Sequence, residues 1–99
     1  MKIKFIQSGG FAGIVKEANI DTDKIPKDTA DFFQDIITNA DFFNLQLKDE
    51  QPMPDVEQIY ITVEQEDKSH MISFSTLNIP EKLKPLVDEI QKQMEIKKF

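Results

Sequence analysis

Residues 58 to 74 read Gln-Ile-Tyr-Ile-Thr-Val-Glu-Gln-Glu-Asp-Lys-Ser-His-Met-Ile-Ser-Phe. In an extended chain successive side chains point to opposite faces, so Ile59, Ile61 and Val63 share one side while Tyr60, Thr62 and Glu64 share the other. After the charged stretch Gln65 to Lys68 the alternation resumes, with His70, Ile72 and Phe74 set against Met71, Ser73 and Ser75. Two alternating runs joined by a short polar turn predict a β-hairpin with one face on a core.

Upstream, Lys48 to Glu57 is polar and carries Pro52 and Pro54, which neither a helix nor a central strand accepts, so it is expected to be a surface loop. Before it, Ala30, Phe33, Ile37 and Ala40, flanked by Phe32 and Ile36, fall at helical spacing and predict one broad apolar face. Asp21-Thr22-Asp23 followed by Ile25-Pro26 reads as the entry to that helix, and Asn39-Ala40-Asp41 as its end. Phe42, Phe43, Leu45 and Leu47 are then expected to plug the edge of the core. Downstream, Pro80 and Pro85 lead into a second helix, starting near Pro85, whose stripe is Leu86, Val87, Ile90 and Met94. At the other end of the chain, residues 2 to 7 alternate, with Ile3 and Phe5 on one face and Lys2, Lys4 and Ile6 on the other. Ile14 to Asp21 alternates more loosely and pairs with them across a short connection. The order strand, strand, helix, strand, strand, helix predicts an α+β fold: a four-stranded antiparallel sheet with both helices on one face.

The chain has 99 residues, which suits one domain spanning 1–99. It has no Cys, which removes disulfides and thiolate chemistry, and its single His makes a zinc site improbable. Twelve basic residues against eighteen acidic give a net charge of -6, which disfavours a nucleic-acid partner. The opening Met-Lys-Ile-Lys-Phe-Ile lacks the apolar core of a secretory signal, and no run is long enough to span a membrane. A cytoplasmic protein, monomeric when free and holding no cofactor, is expected.

All three glycines fall in one stretch, Ser8-Gly9-Gly10-Phe11-Ala12-Gly13-Ile14, between the first two strands. A phosphate cradle would need a following helix and, in a P-loop, a Lys-Ser/Thr ending; here a strand follows. Two readings stay open: a glycine-rich bulge with Phe11 folded back as a core plug, or a presented binding loop. His70 lies on the apolar face without a partner nucleophile and is expected to be structural. The acidic pairs, among them Asp21 with Asp23, Asp49 with Glu50 and Glu64 with Glu66, read as solvated turn residues. Asp21-Thr22-Asp23 lacks the glycine and terminal Glu of a calcium loop.

Several segments, in one order along the chain, resemble the emfourin family. They are Phe5-Ile6-Gln7-Ser8-Gly9-Gly10-Phe11-Ala12-Gly13-Ile14, Ile25-Pro26, Phe42-Phe43-Asn44-Leu45, Ile61-Thr62-Val63-Glu64, Ser69-His70 and Leu83-Lys84-Pro85-Leu86. This chain departs from the pattern in two places. The tyrosine expected two residues before Ile-Thr-Val is displaced to Tyr60, facing the opposite side, and the second hairpin turn carries Glu66-Asp67-Lys68 where glycines are common. The resemblance implies a non-enzymatic inhibitor of a thermolysin-like (M4-type) zinc metalloprotease, of which the inhibitor of protealysin is typical. It implies further that Ser8, Gly9, Gly10, Phe11, Ala12, Gly13 and Ile14 occupy the protease cleft. Ser8 then supplies an oxygen near the metal, and Phe11 or Ile14 fills the apolar pocket for the residue after the scissile bond. The Pro52 to Asp55 loop or the Gln65 to Lys68 turn would give a second contact. A different class, a non-catalytic interaction or small-ligand-binding module, is the alternative.

Overall fold

The computed structural model describes residues 1–9, 15–47 and 56–96. Strand β1 (Lys2–Gly9) and strand β2 (Lys16–Asp21) are followed by helix α1 (Lys27–Asn39), strands β3 (Glu57–Gln65) and β4 (Lys68–Ser75), and helix α2 (Lys84–Ile96). The four strands form one antiparallel sheet in the spatial order β2-β1-β3-β4, so the N-terminal strand is interior and β2 and β4 are the edges. This is the predicted β-β-α-β-β-α arrangement, with both helices on one face.

The register explains the core. Ile20, Ile3, Val63 and His70 form one cross-strand row, Ala18, Phe5, Ile61 and Ile72 the next, and Lys16, Gln7, Ile59 and Phe74 the third. All three rows face the helices. There Phe33, Ile36 and Ile37 of α1 and Leu86, Val87 and Ile90 of α2 are buried in the same cluster as Ile3, Phe5, Ile59, Ile61 and Val63. The opposite face carries Lys4, Thr62 and Met71 in one row and Ile6, Tyr60 and Ser73 in another. Tyr60 thus lies on the side away from the helices, as its displaced position predicts.

Several boundaries differ from the sequence reading. Asp21-Thr22-Asp23 does not open α1: Thr22–Lys24 is a separate 3-10 turn, capped by the Asp23 amide donating to the Asp21 carboxylate at 3.0 Å, and α1 begins after Pro26. Phe32 is not part of the buried stripe but 44% exposed. One residue before Phe33 is a rotation of about 100° on a helix, which carries its side chain off the core-facing side. Helix α2 starts at Lys84, next to Pro85 as expected, but the turn preceding it, which carried no sequence signal, buries Leu83 completely. Its Leu83 and Lys84 amides both donate to the Pro80 carbonyl.

The end of α1 is made without glycine. Asp41 takes the left-handed conformation (φ 50°, ψ 49°), and its carboxylate accepts from the Asn44 side-chain amide at 3.0 Å. A short polar side chain tolerates this region better than most residues. The reversal delivers Phe42 into the core, fully buried, with Phe43, Leu45 and Leu47 packed beside it as the expected plug. At the β3–β4 hairpin Gln65 pairs with Lys68, leaving a two-residue turn in which Glu66 has φ 56°. That is the conformation glycine or asparagine would fill at lower cost.

Candidate functional site

Strand β1 continues past the point where β2 leaves it. The last β1–β2 pair is Gln7 with Lys16, whereas β3 goes on to pair Ser8 with Gln58 and Gly9 with Glu57. Two of the seven residues singled out in the sequence, Ser8 and Gly9, are therefore strand residues that form the root of the glycine stretch. Gly10, Phe11, Ala12, Gly13 and Ile14 lie outside the described residues, as does the Pro52 to Asp55 segment.

Gly9 is exposed at the end of the sheet and is not covered by either helix. Its φ is +104°, and a Cβ built on it would sit 3.1 Å from the Val56 carbonyl oxygen and 3.6 Å from the Glu57 Cα. Both backbone conformation and close strand approach demand glycine here. Ser8 is half-buried on the face away from the helices, in a row with Gln58 and the buried Ser75. Beneath this end Gln7 is 8% exposed, and its side-chain amide donates to the Glu57 carboxylate. Its other side-chain atom, Oε1, is buried with no hydrogen-bond partner among the described residues. The sequence reading missed Gln7, although the alternation that buries Ile3 and Phe5 points it inward too.

The same end holds the exit of β4. The Thr76 amide donates to the Glu57 carbonyl at 3.0 Å and the Asn78 amide to the Ser75 carbonyl at 3.1 Å, so a tight turn is tied to the residue that pairs with Gly9. The Gln65 to Lys68 turn sits at the opposite end, beyond the pair of Lys2 with Glu64. At about 3.4 Å per residue, it is roughly 24 Å along β3 from Gln58. It shares no surface with the root of the glycine stretch.

The other candidate chemistry resolves into structure. His70 Nε2 lies 2.8 Å from the Leu45 carbonyl, and its ring meets the Phe42 ring edge-on at 5.7 Å, so it ties the segment after α1 to edge strand β4. A groove of about 440 Å³ runs beside it, lined among others by Leu45, Leu47, Ile72 and Phe74. A second, of about 500 Å³, lies at the far end near Lys2, Lys24 and Ile25. Among the described residues no group of three or more His, Asp or Glu side chains is placed to hold a metal ion. No described helix is long and apolar enough to cross a membrane.

The chain matches the family described as Emfourin over residues 5–91, which takes in β1 from Phe5 onward, the other three strands, α1 and much of α2. No curated protein and no solved structure matches it. The matched span covers the root of the glycine stretch, the His70 hairpin and the Leu83 turn in a single collinear block, and it carries the implication of a protease-inhibitor-like role. The chain belongs to the emfourin family.

Proposed function

We propose that this chain is a proteinaceous inhibitor of a thermolysin-like zinc metalloprotease, a single domain over residues 1–99 acting as a monomer in the cytoplasm, with no catalysis or cofactor of its own. Ser8 to Ile14 enters the active-site cleft. The observation that carries this reading is Gly9: exposed at the tip of an interior strand, with φ +104°, and held against β3 on the side opposite β2. The root of the stretch therefore starts from a fixed position on the sheet, a preorganised mount that lowers the ordering cost of binding for Ser8 and Gly9. The lack of side chains at Gly9 and Gly10 suits a narrow cleft.

The chemistry required of the segment is modest. A catalytic zinc keeps one coordination position open for water or substrate and accepts an oxygen ligand there. A backbone carbonyl of the stretch, or the Ser8 hydroxyl, meets that requirement, while Phe11 or Ile14 supplies the apolar group such enzymes bind after the scissile bond. Resistance to cleavage requires that the carbonyl be held off the attack geometry, and the strands β1 and β2 that frame the stretch are the means this reading assigns to it.

The test is hydrolysis of a small peptide substrate by several thermolysin-like enzymes with increasing amounts of the protein. Dose-dependent loss of rate is expected, weakened by Gly10→Val. Unchanged rates with every enzyme would overturn the inhibitor reading. Inhibition by Gly10→Val with the wild-type Ki would remove the glycine stretch as the entering element.

A further inference from the structure

We propose that the edge of strand β4 is a docking surface in its own right, which takes an uncharged extended peptide of a protein partner as a fifth strand of the sheet. The proposal does not rest on the inhibitor reading. The two edge strands differ in how they are guarded. Edge strand β2 reads Lys-Glu-Ala-Asn-Ile-Asp, and the charges of Lys16, Glu17 and Asp21 are an ordinary device against pairing with another chain. Edge strand β4 reads Lys-Ser-His-Met-Ile-Ser-Phe-Ser, with its one fixed charge, Lys68, at the turn. No proline interrupts β4, and its register with β3 is continuous from Lys68 to Ser75.

Register decides which backbone groups this edge presents. In an antiparallel ladder, pairs that exchange hydrogen bonds alternate with pairs that do not. The Thr76 amide donates to the Glu57 carbonyl, and alternation from that bond turns the backbone of Phe74, Ile72 and His70 toward β3 and that of Ser75, Ser73, Met71 and Ser69 outward. The Ser75 carbonyl agrees, since it accepts from the Asn78 amide beyond the end of the strand. Ser69, Met71 and Ser73 therefore offer N–H and C=O groups about every 6.8 Å, the repeat that a neighbouring strand meets. Among the described residues no backbone group bonds to them from the outer side. The groove of about 440 Å³ runs along the same strand, lined by Met71 and Ser73 as well as Leu45 and Leu47, and the contact of His70 with the Leu45 carbonyl holds its two sides together. None of its lining residues is Asp, Glu, Lys or Arg, in a chain of which 30% is charged. A charged side chain entering it would give up water and gain no ion partner, so the groove selects a neutral peptide. A strand laid about 4.8 Å outside β4 turns alternate side chains toward Leu45 and Leu47 and the others to the wet face beside Met71, which is 60% exposed. In strand addition of this kind main-chain bonds give affinity and alternate side chains give specificity.

The test is an NMR titration of the isotope-labelled protein with N-acetylated, C-amidated pentapeptides in which Val, Leu or Phe alternates with Thr. Saturable shifts of the Ser69, Met71 and Ser73 amides are expected with at least one of them, at a Kd of about 0.1–1 mM, weak because so short a strand must be ordered on binding. The same sequence with every amide N-methylated is expected to bind at least about tenfold more weakly, because its donors are gone. Ser73→Pro removes one outward N–H and no ladder bond, and it should weaken binding roughly three- to tenfold, whereas Ser73→Ala keeps the N–H and should leave binding unchanged. The N-methyl comparison uses the wild-type protein and decides the matter if Ser73→Pro fails to fold. No saturable shift with any peptide up to about 5 mM overturns the proposal, and so does equal binding of the N-methylated form. Shifts of the same three amides on dilution of the protein alone, with no peptide competing, give the edge to a second copy and overturn it too. Each outcome is read without a protease, so the inhibitor reading stands or falls separately.

Discussion

Replacing Gly9 by Ala tests the root of the glycine stretch directly. At φ +104° the residue lies beyond the left-handed region that L-amino acids visit, and holding a side chain there costs about 1–3 kcal/mol. The added Cβ would lie 3.1 Å from the Val56 carbonyl, a backbone atom that cannot rotate away, so β1 and β3 must separate by tenths of an ångström. That adds about 1 kcal/mol, at the lower end of overpacking penalties. The expected loss is about 2–4 kcal/mol, which for a domain of this size lowers Tm by roughly 10–25 °C. Thermal and urea unfolding followed by circular dichroism measure it, with Ser8→Ala as the neighbouring control, expected to change stability by less than about 1 kcal/mol. Below both transitions Gly9→Ala is also expected to inhibit less well, since the root has moved. A Gly9→Ala protein melting within 2 °C of wild type, roughly 0.5 kcal/mol or less, would refute the argument that conformation and close approach together dictate glycine here.

Other positions make independent predictions. Glu66→Gly relieves the φ 56° turn and is expected to raise stability by about 0.5–1 kcal/mol, read as a higher urea midpoint with unchanged slope. Leu83→Ala empties a fully buried site in the turn before α2, and unfolding should show a loss of about 2–5 kcal/mol; a loss under about 1 would mean the turn is not core. His70→Phe keeps the ring against Phe42 but withdraws the contact to the Leu45 carbonyl. It should cost about 1 kcal/mol and leave protease inhibition unchanged, whereas a large inhibitory defect would give His70 a role beyond structure.

The hairpin at 58–74 was legible because one sheet face is wet and the other dry, which imprints a period of two on the sequence. Phe33, Ile37, Leu86 and Ile90 were legible for the matching reason on helices. Phe32 was misread because an apolar residue adjacent to a stripe looks like part of it, although one step around a helix is enough to leave the core. Leu83 was missed because the turn containing it has no period to betray it. The extension of β1 through Ser8 and Gly9 depends on pairing with Glu57 and Gln58, far along the chain, and local pattern carries no record of that.

Strand β1 lies inside the sheet, and its Gln7 meets Glu57 from 50 positions away. During synthesis the first hairpin can close early from local contacts, but its second flank stays bare until β3 has left the ribosome. Such distant pairing is slow to nucleate, and a nascent first half exposes an unpaired strand with its apolar side showing. A cell producing this protein therefore gains nothing from a fragment that stops after α1: the tip that holds Gly9 in shape exists only once the C-terminal half has arrived.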